Sequence, residues 1–370
     1  MILLVSALAF FVLITGLILI HEAGHYIAAK LAGVVVEEFG FGLPPQAKKL
    51  FKRKGTVFSL NWIPFGGFVR LKGENAVEES ERRAKGSFAG ASIIARTIIL
   101  VAGVAMNFVL AVIIFTYGFS FGQWIPTYLS LDAMQAAGKR GEITLELGVY
   151  IDEVLAGGTA SDAKIPAKSI LIAVDGKPVH MPEEVIALQQ GRSRVTYTLL
   201  TGADKKEEKV TVAVQSGKTG MYLRALPRVL AAPVRGLPAA FMLAMRESGV
   251  VTGQTVLGIG KLISSLAHSG TVPEGITGIV GIAQLTYTSV QEGFAVYFRL
   301  VALLSLSLAV LNILPFPALD GGRLLFVFSE LVLRRSNRRV EVVTNTVGFG
   351  FLLLLILLVT LYDVVRLFTR

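Results

Sequence analysis

His21-Glu22-Ala23-Gly24-His25 fits the pattern H-E-x-x-H. On a helix, residues i and i+4 share a face, so both imidazoles reach one metal ion. Glu22 lies one residue on, about 100° around, beside a water on the metal rather than on the metal itself. Zinc at catalytic sites takes three protein ligands and keeps one position for water. The chemistry this pattern offers is hydrolysis: the metal acidifies water and polarises a carbonyl, and the carboxylate carries the proton. The blander readings are a chance match or two core histidines. The second is costly, because His and Glu at the end of an apolar stretch are expensive unless they have a use.

Those residues need elements to place them. Of the 370 residues, 53% are hydrophobic and 17% charged, against about 25% charged in a soluble chain. Four uncharged stretches, 2–20, 97–131, 300–319 and 342–362, carry the excess. Each has the roughly 20 residues a helix needs to cross a bilayer core. The expected fold class is a polytopic α-helical membrane protein with four transmembrane helices, a membrane-associated β-rich loop and an inserted domain. Its expected divisions are 1–36, 37–96, 97–131, 132–230, 231–285, 286–322 and 323–370.

The stretch 2–20 has no basic residue before it and no small-residue cleavage pattern after it, so it is expected as a retained helix and not a signal peptide. Residues 237–268 are apolar but broken by Arg246, Glu247, Lys261 and His268, and are expected as an interfacial helix. Val195–Leu200 and Glu208–Val214 alternate as strands about a turn at Gly202-Ala203-Asp204.

Charge sets the orientation. Loop 37–96 is rich in Lys and Arg, including Lys48, Lys49, Lys52, Arg53, Lys54 and Arg96, and the loop after the third stretch holds Arg323, Arg334, Arg335, Arg338 and Arg339. Positive loops stay cytoplasmic, which places the near-balanced insert outside. Beside membrane spans these charges suit an anionic leaflet of the lipid bilayer, so no nucleic acid is expected. The chain has no cysteine, which excludes disulfides, thiolate metal sites and a cysteine nucleophile.

The third ligand has to come from elsewhere. His180 and His268 are the remaining histidines, and both fall on the outer side. Asp320, in Asn312-Ile313-Leu314-Pro315-Phe316-Pro317-Ala318-Leu319-Asp320-Gly321-Gly322, ends the third stretch on the same side as His21 and His25. Prolines 315 and 317 cannot continue a regular helix. Pro-x-x-Asp-Gly-Gly alone would read as a simple turn; beside an intramembrane H-E-x-x-H, Asp320 is the expected ligand.

These residues resemble the site-2 protease family of intramembrane zinc metalloproteases, in its bacterial regulator-of-sigma-E-protease branch. His21 to His25 resembles the family's H-E-x-G-H, and Asn312 to Gly322 its N-x-x-P-x-P-x-L-D-G-G. Ala102 to Asn107 is similar to its G-P-x-x-N, with Val104 where proline is common, and Gly278 to Ile282 to its G-P-x-G-I without the proline. The insert resembles a single PDZ domain: Leu147-Gly148-Val149-Tyr150 stands where the carboxylate-binding loop would be.

The resemblance implies Zn2+ on His21, His25 and Asp320, and Glu22 as general base and acid. It implies single-span membrane protein substrates, such as a trimmed anti-sigma factor or signal-peptide remnants, and a bacterial cell inner membrane with the PDZ-like domain extracytoplasmic. Asn107 and Asn312 are expected to contact the site or the substrate. A helical substrate hides its amides, so it must unwind before attack. The strand-like piece 56–70, with Gly66 and Gly67, is expected to pair with the unwound segment. The alternative is a catalytically silent scaffold that recruits partners through the insert; Glu22 argues against it, because a structural zinc has no need of that acid. A transporter would show repeated halves, which this chain lacks.

Overall fold

The structure is a computed structural model that describes residues 1–76, 78–202, 206–273, 275–333 and 338–369. α1 (Ile2–Leu31) runs 30 residues, a rise of about 45 Å. It therefore outlasts the apolar stretch 2–20 and carries both histidines beyond it. β1 (Val36–Arg53) and β2 (Thr56–Leu71) follow. Lys54 and Gly55 close this hairpin at φ 46° and 83°. β2 then doubles back. Phe41 pairs with Leu60 and again with Gly67, and Val36 pairs with Leu71. The start of β1 is thus flanked by both halves of β2. A one-turn helix α2 (Glu79–Arg82) leads to α3 (Ile93–Ser120), where the Ser92 hydroxyl accepts from Ala95 N–H.

Residues 123–234 fold as a separate unit. It contains α4 (Leu131–Lys139), β3 (Thr144–Val154), α5 (Thr159–Asp162), β4 (Ile170–Val174), β5 (Lys177–Pro178), α6 (Pro182–Gln189), β6 (Arg194–Thr201), β7 (Lys206–Ala213) and β8 (Met221–Ala231). The sheet order is β7-β6-β4-β3-β8, with β5 on β4. Val149, Ile151, Leu171, Val174, Tyr197 and Leu199 project from its strands into one buried core. Positions 203 and 204 of the expected turn lie outside the described residues.

The membrane unit resumes at Arg235. It adds α7 (Leu237–Ser269), α8 (Ile279–Glu292), α9 (Phe294–Ile313), α10 (Asp320–Leu333) and α11 (Arg338–Thr369). Ala29, Val36, Leu71, Ile99 and Val327 meet in one core, which joins α1, the hairpin, α3 and α10.

Several boundaries depart from the expected ones. Among the described residues five helices are long and apolar enough to cross a membrane, namely α1, α3, α7, α9 and α11, by a measure of length and composition that leaves the expected four crossings untested. α7 covers the stretch expected at the interface. Its charge at Glu247 is 1% exposed and lies 3.6 Å from Arg299 of α9. Ala240, Ala244, Glu247, Ser248 and Val251 form one buried stripe at helical spacing.

The second apolar stretch was expected over 97–131, but α3 starts earlier and ends at Ser120. The earlier start takes in Arg96, which is buried against Glu330 of α10 at 2.8 Å. The third was expected over 300–319, but α9 is displaced toward the N-terminus. It passes Arg299, which is paired, and stops before Pro315. Residues 320–333, expected as loop, are the helix α10.

Candidate functional site

α1 brings His21 and His25 to one face, one turn apart. The His25 Nδ1 lies 2.8 Å from the Ile99 carbonyl of α3. A carbonyl only accepts, so Nδ1 carries the proton and Nε2 presents a lone pair. That Nε2 is 3.2 Å from His21 Nε2. Asp320 Oδ2 is 3.0 Å from His21 Nε2 and 3.3 Å from His25 Nε2.

Three electron-rich atoms therefore converge in a buried place. A shared cation, a metal ion or a proton on an imidazole, would hold them together. Zinc bonds of about 2.0–2.1 Å at tetrahedral angles separate neighbouring ligand atoms by roughly 3.3 Å. The triangle already has that size, so the donor set fits zinc. The His21 Nδ1 and Asp320 Oδ2 have no hydrogen-bond partner among the described residues, although both are buried.

Asp320 is the first residue of α10. Gly321 and Gly322 follow it because no side chain fits there: a Cβ on either would strike the carbonyl oxygens of Ile313, Leu314 or Phe316. The strand piece at the end of β2 lies opposite. Val69 lines the same cavity as Glu22. Together these groups line a cavity of about 400 Å³ with Phe68, Leu71, Asn312, Glu74 and Arg323. Arg323 pairs with Glu74 across 249 residues of sequence. The loop arginine used to set orientation is thus part of the cavity wall.

Of the expected substrate contacts, Asn312 lines the cavity, with Nδ2 3.4 Å from His21 Nε2. Asn107 does not line it. It is fully buried in α3, where its backbone carbonyl accepts from Ser305 of α9 at 2.8 Å. Gly66 and Gly67 also fall outside the cavity lining and seat the hairpin on α1 instead. A Cβ on Gly67 would stand 2.8 Å from Leu19 Cδ2, and one on Gly66 3.5 Å from Ile18 Cδ1. Val69, Glu74 and Arg323 belong to the site and were not anticipated. Val69 is an apolar strand residue with no chemical signature of its own, and the ion pair joins residues far apart in sequence.

Residues 9–355 match peptidase family M50. The chain is 30% identical over 361 residues to a Clostridium perfringens protein named as a zinc metalloprotease, covering 95% of this chain and 96% of that one. It is 26% identical over 427 residues to the zinc metalloprotease RasP of Geobacillus kaustophilus, covering 98% of each. It is 26% identical over 362 residues to the chloroplastic membrane metalloprotease ARASP of Arabidopsis thaliana, covering 95% of this chain and 76% of the relative.

Proposed function

We propose, since the chain belongs to peptidase family M50, the site-2 protease family, that His21, His25 and Asp320 hold its zinc and that Glu22 moves the protons of peptide hydrolysis. The chain is an integral membrane zinc metalloprotease, and Zn2+ is its cofactor. One observation carries the assignment of residues. Three lone-pair atoms form a zinc-sized triangle, and a carboxylate on the next residue of the same helix faces the same cavity.

Bound zinc supplies an acidified water and a polarised scissile carbonyl. The protein does the rest. Glu22 takes the proton of the attacking water and returns it to the leaving amine. The Ile99 carbonyl fixes the His25 tautomer. The segment Gly67–Leu71 pairs with β1 on one side. Its other side is the natural place for an unwound substrate strand to add, beside the base.

Substrates on this reading are single-span membrane proteins, cut inside the membrane after trimming outside, with anti-sigma factors and signal-peptide remnants as the candidate classes. Supporting evidence would come from the purified protein and a single-span substrate in liposomes. Mass spectrometry should place the cut within the apolar segment, chelation should stop it, and added zinc should restore it. A cut that survives chelation would overturn the proposal.

The enzyme's proposed home is a bacterial inner membrane, with the hairpin cytoplasmic and the PDZ-like unit 123–234 outside. That unit has no group of three metal-ligating side chains among its described residues, which suits a filter on substrate entry rather than a catalytic role. Because the chain lacks cysteine, a single introduced thiol reports orientation cleanly. Lys177→Cys, at an exposed site, should label with an impermeant maleimide in intact cells, and Lys49→Cys only after permeabilisation. The reverse pattern would invert the topology.

A further inference from the structure

The carboxylate of Asp320 is delivered by a short non-helical turn, 314–319, between α9 and α10. Ala318, two residues before Asp320, has φ +75°. An alanine there is sterically disfavoured, and such strain persists only when the surroundings over-determine it. The surroundings in question are one face of α11.

Phe351 packs on Phe316 with ring centroids 5.9 Å apart. Gly348 is buried against Pro317, where a Cβ would stand 2.9 Å from the Pro317 carbonyl carbon. The Asn345 Oδ1 accepts from Ala318 N–H at 3.1 Å. Positions 345, 348 and 351 follow at a spacing of three along the helix, and they grip three consecutive residues of the turn. Asn345 lies within a helix apolar enough to span the membrane. A polar amide there needs a partner, and so does the freed N–H of Ala318. Each satisfies the other.

We propose that Asn345 is a positioning residue for the metal site: by anchoring Ala318 N–H it holds the strained turn that aims Asp320 at His21 and His25. This rests on Asp320 being a zinc ligand. Without the anchor, Ala318 relaxes toward an ordinary φ and the carboxylate swings off the triangle. Glycine at 318 takes a positive φ at no steric cost, so it should hold the turn even when the anchor is gone.

The test uses the full chain in detergent, loaded with zinc or with cobalt(II), whose absorption bands report ligand geometry where zinc is silent. Asn345→Ala should release zinc to a chelator about 10-fold faster than wild type, as removal of outer-shell partners does elsewhere, and should shift the cobalt bands. The double variant Asn345→Ala/Ala318→Gly should recover most of both. A folded Asn345→Ala with wild-type release and spectrum would overturn the proposal. So would equal losses with and without Ala318→Gly, since Asn345 would then act only in helix packing. If Asn345→Ala does not fold, Gly348→Ala, which pushes on Pro317, should give the same spectral shift, and an unchanged spectrum there counts against the proposal. Asp320→Asn separates the two readings. If it leaves the cobalt spectrum unchanged, the ligand assignment fails; if it alters the spectrum while Asn345→Ala does not, only the positioning role fails.

Discussion

Glu22→Gln is expected to keep zinc at wild-type stoichiometry and to lose peptide cleavage by about 10²–10⁴-fold, the range for removing a general acid–base. Glutamine has the size of glutamate and keeps one side-chain oxygen as an acceptor. The cavity shape is therefore retained. The three ligand atoms belong to other residues, so metal binding should not change. What disappears is a group able to take a proton from water and give it to an amine. The measurement pairs metal analysis of the purified variant with a cleavage assay on the same sample. Wild-type cleavage by Glu22→Gln would sink the assignment of Glu22 and, with it, the proposed mechanism.

The parts of this site that could be read in the sequence are those whose spacing is itself the signal. His21 and His25 are four apart, and the helical period alone puts them on one face. Asp320 was legible because its apolar stretch ends on the same side as theirs. The support for Asp320 was not. Pro-x-x-Asp-Gly-Gly has the composition of a turn, so α10 was missed, although Asp320 is its first residue. The two glycines serve a helix start pressed against the carbonyls of 313, 314 and 316.

Charge was misleading for a related reason. Arg96 and Arg323 read from sequence as loop charges, and Arg299 stands one residue outside the expected stretch 300–319. In the fold each meets a carboxylate from a distant segment: Glu330, Glu247 and Glu74 respectively. A paired charge no longer ends an apolar helix, so α3 and α9 both begin earlier than hydropathy suggested. Such pairings depend on the tertiary fold, and no local window contains them. Asn345 was hidden in the same way, since an asparagine in an apolar helix shows its purpose only when its partner, 27 residues away in sequence, is in view.

Gly103→Ala is expected to weaken zinc binding although Gly103 is not a ligand. α1 and α3 cross where Gly24 faces Ala102 and Gly103. A Cβ on Gly24 would strike the Ala102 carbonyl oxygen. One on Gly103 would stand 2.7 Å from His25 Cε1 and 2.8 Å from His21 Cε1. Contacts that short force something to move. The His25 ring cannot turn without losing its 2.8 Å bond to the Ile99 carbonyl. The other route is to part the two helices, which opens the core that Ala29 and Ile99 share at a cost of about 1–3 kcal/mol for an overpacked site. Either way the ligand triangle distorts, and zinc affinity should fall by at least about 10-fold, the scale on which metal sites respond to displaced support. Gly249→Ala in α7 is the control, because its added Cβ meets nothing within 4 Å beyond the neighbouring backbone of its own helix. It should keep zinc and stiffen its helix by about 0.5–1 kcal/mol. Zinc per chain after dialysis against a weak chelator, read beside the thermal melt of each variant, separates metal loss from unfolding. A folded Gly103→Ala that holds zinc as tightly as wild type would show that the imidazoles have room to spare, and the close α1–α3 crossing would lose its role in shaping the site.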